Sequence, residues 1–78
     1  MREKKDYIII TFKTTTAAMA MEKECKTKEV PGRIIPLPTQ ISAGCGLSWR
    51  MTCPEYDEWK DRIEQLDTVY EAVYHVHM

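Results

Sequence analysis

The chain has 78 residues, 44% apolar and 29% charged, and 11 lysines and arginines against 12 aspartates and glutamates leave a net charge of −1. A chain this short buries only roughly 60% of its unfolded surface, which excludes a second core and a deep cleft between domains. The balanced charge gives no basic field for nucleic-acid phosphates, and no apolar run approaches the roughly 18 residues of a membrane span, so neither nucleic acid nor membrane is an expected partner. The expected organisation is a single small domain over residues 1–78, with a polar N-terminal tail at 1–6 and a core over about 7–76. "MREKKD" is not followed by the apolar stretch of a secretory signal, and the three cysteines show no framework spacing. Both features lead to the expectation of a cytoplasmic chain whose cysteines are thiols.

"YIIITF" (Tyr7 to Phe12) is β-branched and aromatic and apolar on both faces, as a central strand requires. "TTTAAMAMEKECKTK" then offers threonines that can cap a helix, with Ala17, Ala18, Met21 and Cys25 at three- and four-residue spacings and lysines toward the end. "VPG" is expected to stop this helix, Pro31 by disfavouring helical geometry at Val30 and Gly32 by supplying a left-handed turn. "RIIPLP" (Arg33 to Pro38) has strand residues, but Pro36 lacks an amide proton, which predicts an edge strand. "TQISAGCG" reads as a loop, and "LSWRM" alternates so that Leu47, Trp49 and Met51 share one face, predicting a strand buried on one side. "TCPEYDEWKDRIEQL" has Thr52 and Glu55 at capping-box spacing, Pro54 in the first turn, and Tyr56, Trp59, Ile63 and Leu66 at a helical period. "VYEAVYHVH" predicts a last strand with Tyr70, Ala72, Tyr74 and Val76 on one face and Glu71, Val73, His75 and His77 on the other.

Strand, helix, strand, strand, helix, strand, with right-handed crossovers, predicts an α+β two-layer ferredoxin-like βαββαβ sandwich. Its antiparallel sheet has the order 4-1-3-2, with both helices on one face; an open two-layer sandwich of another strand order is the alternative. In the first arrangement the loop holding Cys45 lies at the same end of the sheet as the start of the first helix. Free backbone amides there, the hydroxyls of Thr14 and Thr15, Lys13 and the helix dipole would favour a thiolate at Cys45 if the loop folds toward them. Gly44 and Gly46 flank this cysteine and clear the space around its sulfur. The plainer reading is that the two glycines serve turn geometry alone. Arg33 and Arg50 are poorer charge partners, since both sit several residues down the hairpin.

Cys53 lies at the far end of the third strand, and eight extended residues span roughly 25 Å, whereas a disulfide needs Cα atoms within about 7 Å. A Cys45–Cys53 bridge within one molecule is therefore not expected. Cys53 is the second choice for a reactive thiol, because it opens a helix and precedes a proline; its plainer reading is a first-turn residue beside the Thr52 cap. Cys25 falls on the apolar stripe of the first helix and reads as a small buried hydrophobe. His75 and His77 alternate on one strand face and would need a further ligand to hold a metal, so no metal and no cofactor is expected. Trp49 and Trp59 read as core.

Taken together, "YIIITF", "RIIPLPTQISAGCGLSWR" with its basic Arg50, and "YEAVYHV" resemble a family of short bacterial proteins from about Tyr7 to Val76. That family was first catalogued as a domain of unknown function and later described as selenium or sulfur carriers. The resemblance implies that Cys45, flanked by Gly44 and Gly46, is the attachment residue for a persulfide or perselenide. It implies as partners a cysteine desulfurase or selenium-delivery enzyme and an acceptor protein, and a carrier rather than a self-contained enzyme. The better understood sulfur carriers with which the family is compared set their cysteine in Cys-Pro-x-Pro at a helix N-terminus. The nearest counterpart here is Cys53-Pro54, with Tyr56 where the second proline would stand. The rival reading from another class is a non-catalytic interaction or regulatory domain, whose edge at Arg33 to Pro38 is blunted by prolines.

Overall fold

In the computed structural model, which describes residues 5–41, 46–66 and 70–77, the first strand is β1 (Asp6–Thr11). It is followed by α1 (Thr15–Thr27), β2 (Arg33–Pro36), β3 (Leu47–Thr52), α2 (Cys53–Glu64) and β4 (Ala72–His77). The four strands form one antiparallel sheet in the order β2-β3-β1-β4, which is the expected order read from the opposite edge. The branched run of β1 thus occupies an interior position, and the proline-bearing β2 is at an edge, where Pro36 interrupts no second ladder. β1 starts one residue before the expected boundary and stops one short of Phe12, which is fully buried beyond its end. β2 stops at Pro36 rather than Pro38, because Pro38 already belongs to a turn in which its carbonyl accepts the Ile41 amide at 3.0 Å.

Both helices cover the same face of the sheet. Ala18, Met21 and Cys25 of α1, together with Ile63 and Leu66 at the end of α2, form one buried cluster with Ile10, Trp49 and Met51. Tyr56 and Trp59 pack at its margin half-buried, so Trp49 is core and Trp59 only partly so. Thr14, in extended conformation, caps α1 by accepting the Ala17 amide at 3.1 Å. Thr52 caps α2 in a full capping box: its hydroxyl accepts the Glu55 amide at 3.2 Å, and the Glu55 carboxylate accepts the Thr52 amide at 2.9 Å.

α1 ends ahead of "VPG", as expected. Glu29, not a glycine, takes the left-handed conformation (φ 60), while the Val30 amide bonds the Cys25 carbonyl at 2.8 Å and the Glu29 amide that of Lys26 at 3.4 Å. This is a Schellman ending, completed by the burial of Val30 in the same cluster as Cys25. Gly32 is also at positive φ (126), but it serves packing: a Cβ there would lie 2.4 Å from Trp49 Nε1 and 2.7 Å from the Arg50 carbonyl oxygen.

The other face of the sheet is partly roofed by the chain itself. After β2 the backbone folds over it, so that Ile41 is buried against Ile9 and Val76, with Tyr7, Ile35 and Leu37 packed around them. Ser48 is fully buried as well, so β3 is covered on both sides rather than on one. Its hydroxyl donates to the Ile35 carbonyl at 3.3 Å, which satisfies the polar atom that burial would otherwise penalise.

Candidate functional site

The three thiols are sorted by where the elements put them. Cys25, on the sheet-facing stripe of α1, has no exposed surface, and burial, with the Glu24 carboxylate beside it, pushes its thiol up to about 12. A thiolate there is unavailable near neutral pH, so Cys25 is a packing residue, as its spacing indicates. Cys53 is half-buried and forms the first residue of α2, directly after the Thr52 cap. Cys45 and Gly44 lie outside the described residues.

What flanks Cys45 is described. Gly46 is exposed at φ 82, and a Cβ built on it would meet nothing within 4 Å. Its carbonyl accepts the Leu37 amide at 2.9 Å, which closes the base of the loop between β2 and β3. Pro36 pairs with Leu47, and Ser48 pairs with Thr11, so this base stands at the end of the sheet from which α1 departs. Lys13, Thr14 and Thr15 are exposed at that same end, and the oxygen of Thr14 is occupied in capping its own helix. On its other side the loop is anchored by Ile41 on the helix-free face. Arg33 and Arg50 pair three positions down the hairpin from Pro36 and Leu47, about 10 Å along the strands.

At the opposite end of the sheet His75 and His77 are exposed and share one acceptor. Asp6 Oδ1 lies 2.9 Å from His77 Nδ1 and 3.4 Å from His75 Nε2. The His77 hydrogen bond, with the charges of both rings, holds the Asp6 carboxyl below its ordinary value. Among the described residues no group of histidine, cysteine and acidic side chains is arranged to hold a metal ion.

Two arrangements were not expected from sequence. One is the burial of Ile41 on the helix-free face, signalled only by the isolated apolar positions Leu37 and Ile41 in a polar loop. The other is the arginine pair, whose signal was the equal distance of Arg33 and Arg50 from the turn of one hairpin.

A family model described as "Putative Se/S carrier protein-like" matches residues 6–75, nearly the whole chain. The chain belongs to this family. The match takes in the first three strands, both helices and the first four residues of β4, and it includes the Gly44-Cys45-Gly46 segment. No curated protein and no solved structure is significantly similar to the chain. No helix among the described residues is long and apolar enough to cross a membrane.

Proposed function

We propose that this member of the family is a carrier that holds one sulfur or selenium atom as a persulfide or perselenide on Cys45 and passes it from a donor enzyme to an acceptor. The observation that carries the reading is the family match across residues 6–75. The burial of Cys25 supports it by removing one of three thiols, and the open backbone at Gly46 supports access to the neighbouring position. In the chemistry proposed, the Cys45 thiolate attacks the terminal sulfur of a donor persulfide, the donor S–S bond breaks, and the donor cysteine leaves as a thiolate. A nucleophile of the acceptor then attacks the terminal atom on Cys45, and the Cys45 thiolate is expelled. Glycine on each side lowers the steric barrier to approach along the bond axis. The donor fits a cysteine desulfurase or a selenium-delivery enzyme, and the fold, by its strand order and one-sided helices, fits the ferredoxin-like class.

Mass spectrometry of the intact chain after incubation with a cysteine desulfurase and cysteine tests this reading. A gain of one sulfur that disappears in Cys45→Ser is the expected result. A gain lost only in Cys53→Ser moves the carrier role to the start of α2. No gain on any cysteine overturns the proposal in favour of an interaction domain.

A further inference from the structure

We infer that the cleft on the helix-free face between the start of β1, the start of β2 and the end of β3 binds an oxyanion of the phosphate or sulfate class through Arg33 and Arg50. Arg33 stands directly opposite Arg50 in the β2–β3 register. Cα atoms so opposed are about 4.5–5.5 Å apart, and like charges in that relation weaken a sheet. Yet neither guanidinium is ion-paired among the described residues, whose salt bridges are Lys28–Glu24 and the two histidines with Asp6. The cleft, of about 290 Å³, is lined by Tyr7, Gly32, Arg33, Arg50, Thr52 and Glu55. Its one carboxylate, Glu55, already accepts the Thr52 amide to close the capping box of α2.

The arrangement is held in place. Arg50 is half-buried, with its guanidinium carbon 4.8 Å from the centroid of the Tyr7 ring, a stacking that restrains the plane of the fork. Tyr7 in turn faces Thr52 across β1 and β3, and both residues line the cleft. The Thr52 oxygen accepts the Glu55 amide and keeps its proton for another acceptor. Two forked cations and the Thr52 hydroxyl around one space match an anion with several oxygens, and against the single Glu55 charge the cleft keeps a net positive charge for it to neutralise. The cleft lies at the opposite end of the β2–β3 ladder from Pro36 and Leu47, and this inference stands apart from the carrier reading.

The test is titration of the isotopically labelled full chain with inorganic phosphate, sulfate and chloride at matched ionic strength, followed by amide chemical shifts. Phosphate and sulfate should give saturable shifts centred on Tyr7, Arg33, Arg50 and Thr52, and chloride should not. Affinity should fall about tenfold or more in Arg50→Met and in Arg33→Met, as loss of a charge-assisted contact implies, and stay unchanged in Lys60→Met, which removes a charge from exposed α2. In chloride, Arg33→Met at its exposed edge position should melt higher than wild type, because the like-charge repulsion is gone. Shifts that do not saturate, shifts centred elsewhere, or equal weakening by all three substitutions would overturn the inference.

Discussion

Replacing Gly32 by alanine probes the contact between β2 and the core most sharply. The new methyl carbon would stand 2.4 Å from Trp49 Nε1 and 2.7 Å from the Arg50 carbonyl oxygen, at a φ of 126 that L residues rarely adopt. The backbone conformation alone costs about 1–3 kcal/mol, and forcing extra volume into a packed site adds about 1–3 kcal/mol. The indole cannot easily yield, because Trp49 is 4% exposed and packed in the main cluster, and the carbonyl belongs to an interior strand. A loss of about 3–4 kcal/mol is therefore expected, a large share of the roughly 4–12 kcal/mol that a domain of this length has in total. With an unfolding entropy of about 0.16 kcal/mol/K for this length, Tm should drop by roughly 20 °C. Urea unfolding followed by tryptophan fluorescence measures it, and Gly46→Ala is the internal control. That residue is also at positive φ (82), but open space surrounds its Cβ position, so only strain of about 1 kcal/mol is expected. Equal costs for the two substitutions, or a Gly32→Ala cost below about 1 kcal/mol, would refute the steric reasoning.

Cys25 should make the fold sensitive to alkali: its thiol ionises near 9.0 when unfolded but only at about 12 when folded, so stability is full below pH 9 and declines above it. The expected slope is up to about 1.4 kcal/mol per pH unit in unfolding free energies from urea between those values; it should be smaller in Cys25→Ala, where the Tyr56 phenol, also raised by burial, leaves a residual decline. Asp6 acts in the acid range with the opposite sense. Its depressed folded value means the contribution is present above the ordinary aspartate value and lost as pH falls through the folded one; carboxyl NMR titration should show the midpoint rising toward the ordinary value in His77→Ala. Glu29→Gly should stabilise the protein by about 0.5–1 kcal/mol, since glycine takes the left-handed position of a Schellman ending without strain; unchanged or lowered Tm would count against that cap.

Much of the architecture was legible because it rests on local pattern. The capping box of Thr52 and Glu55 is spelled out by spacing, and the proline in "RIIPLP" dictates an edge position through its missing donor. The burial of Cys25 follows from its place on a three-four periodic stripe. The end of α1 lies where the pattern put it, but the residue that makes the left-handed turn does not: glycine is the usual choice, whereas here a Schellman ending is closed by burial of Val30, with glutamate in the strained position. That burial is a tertiary event, invisible to local propensity.

The candidate thiols divide along the same line. Residue type and spacing alone determined that this is one small α+β unit with a glycine-flanked cysteine between β2 and β3, since periodicity and chain length need no knowledge of distant neighbours. Only the tertiary structure decided that the apolar side of β4 turns Val76 toward Ile41 rather than toward the helices. It also set Arg33 against Arg50 beside the Tyr7 ring. Those outcomes depend on strand register and on the path of a loop over a sheet. A shift of one residue in register sends every side chain to the opposite face, and the free energy of the whole packed sheet, rather than any short stretch of chain, selects between the two.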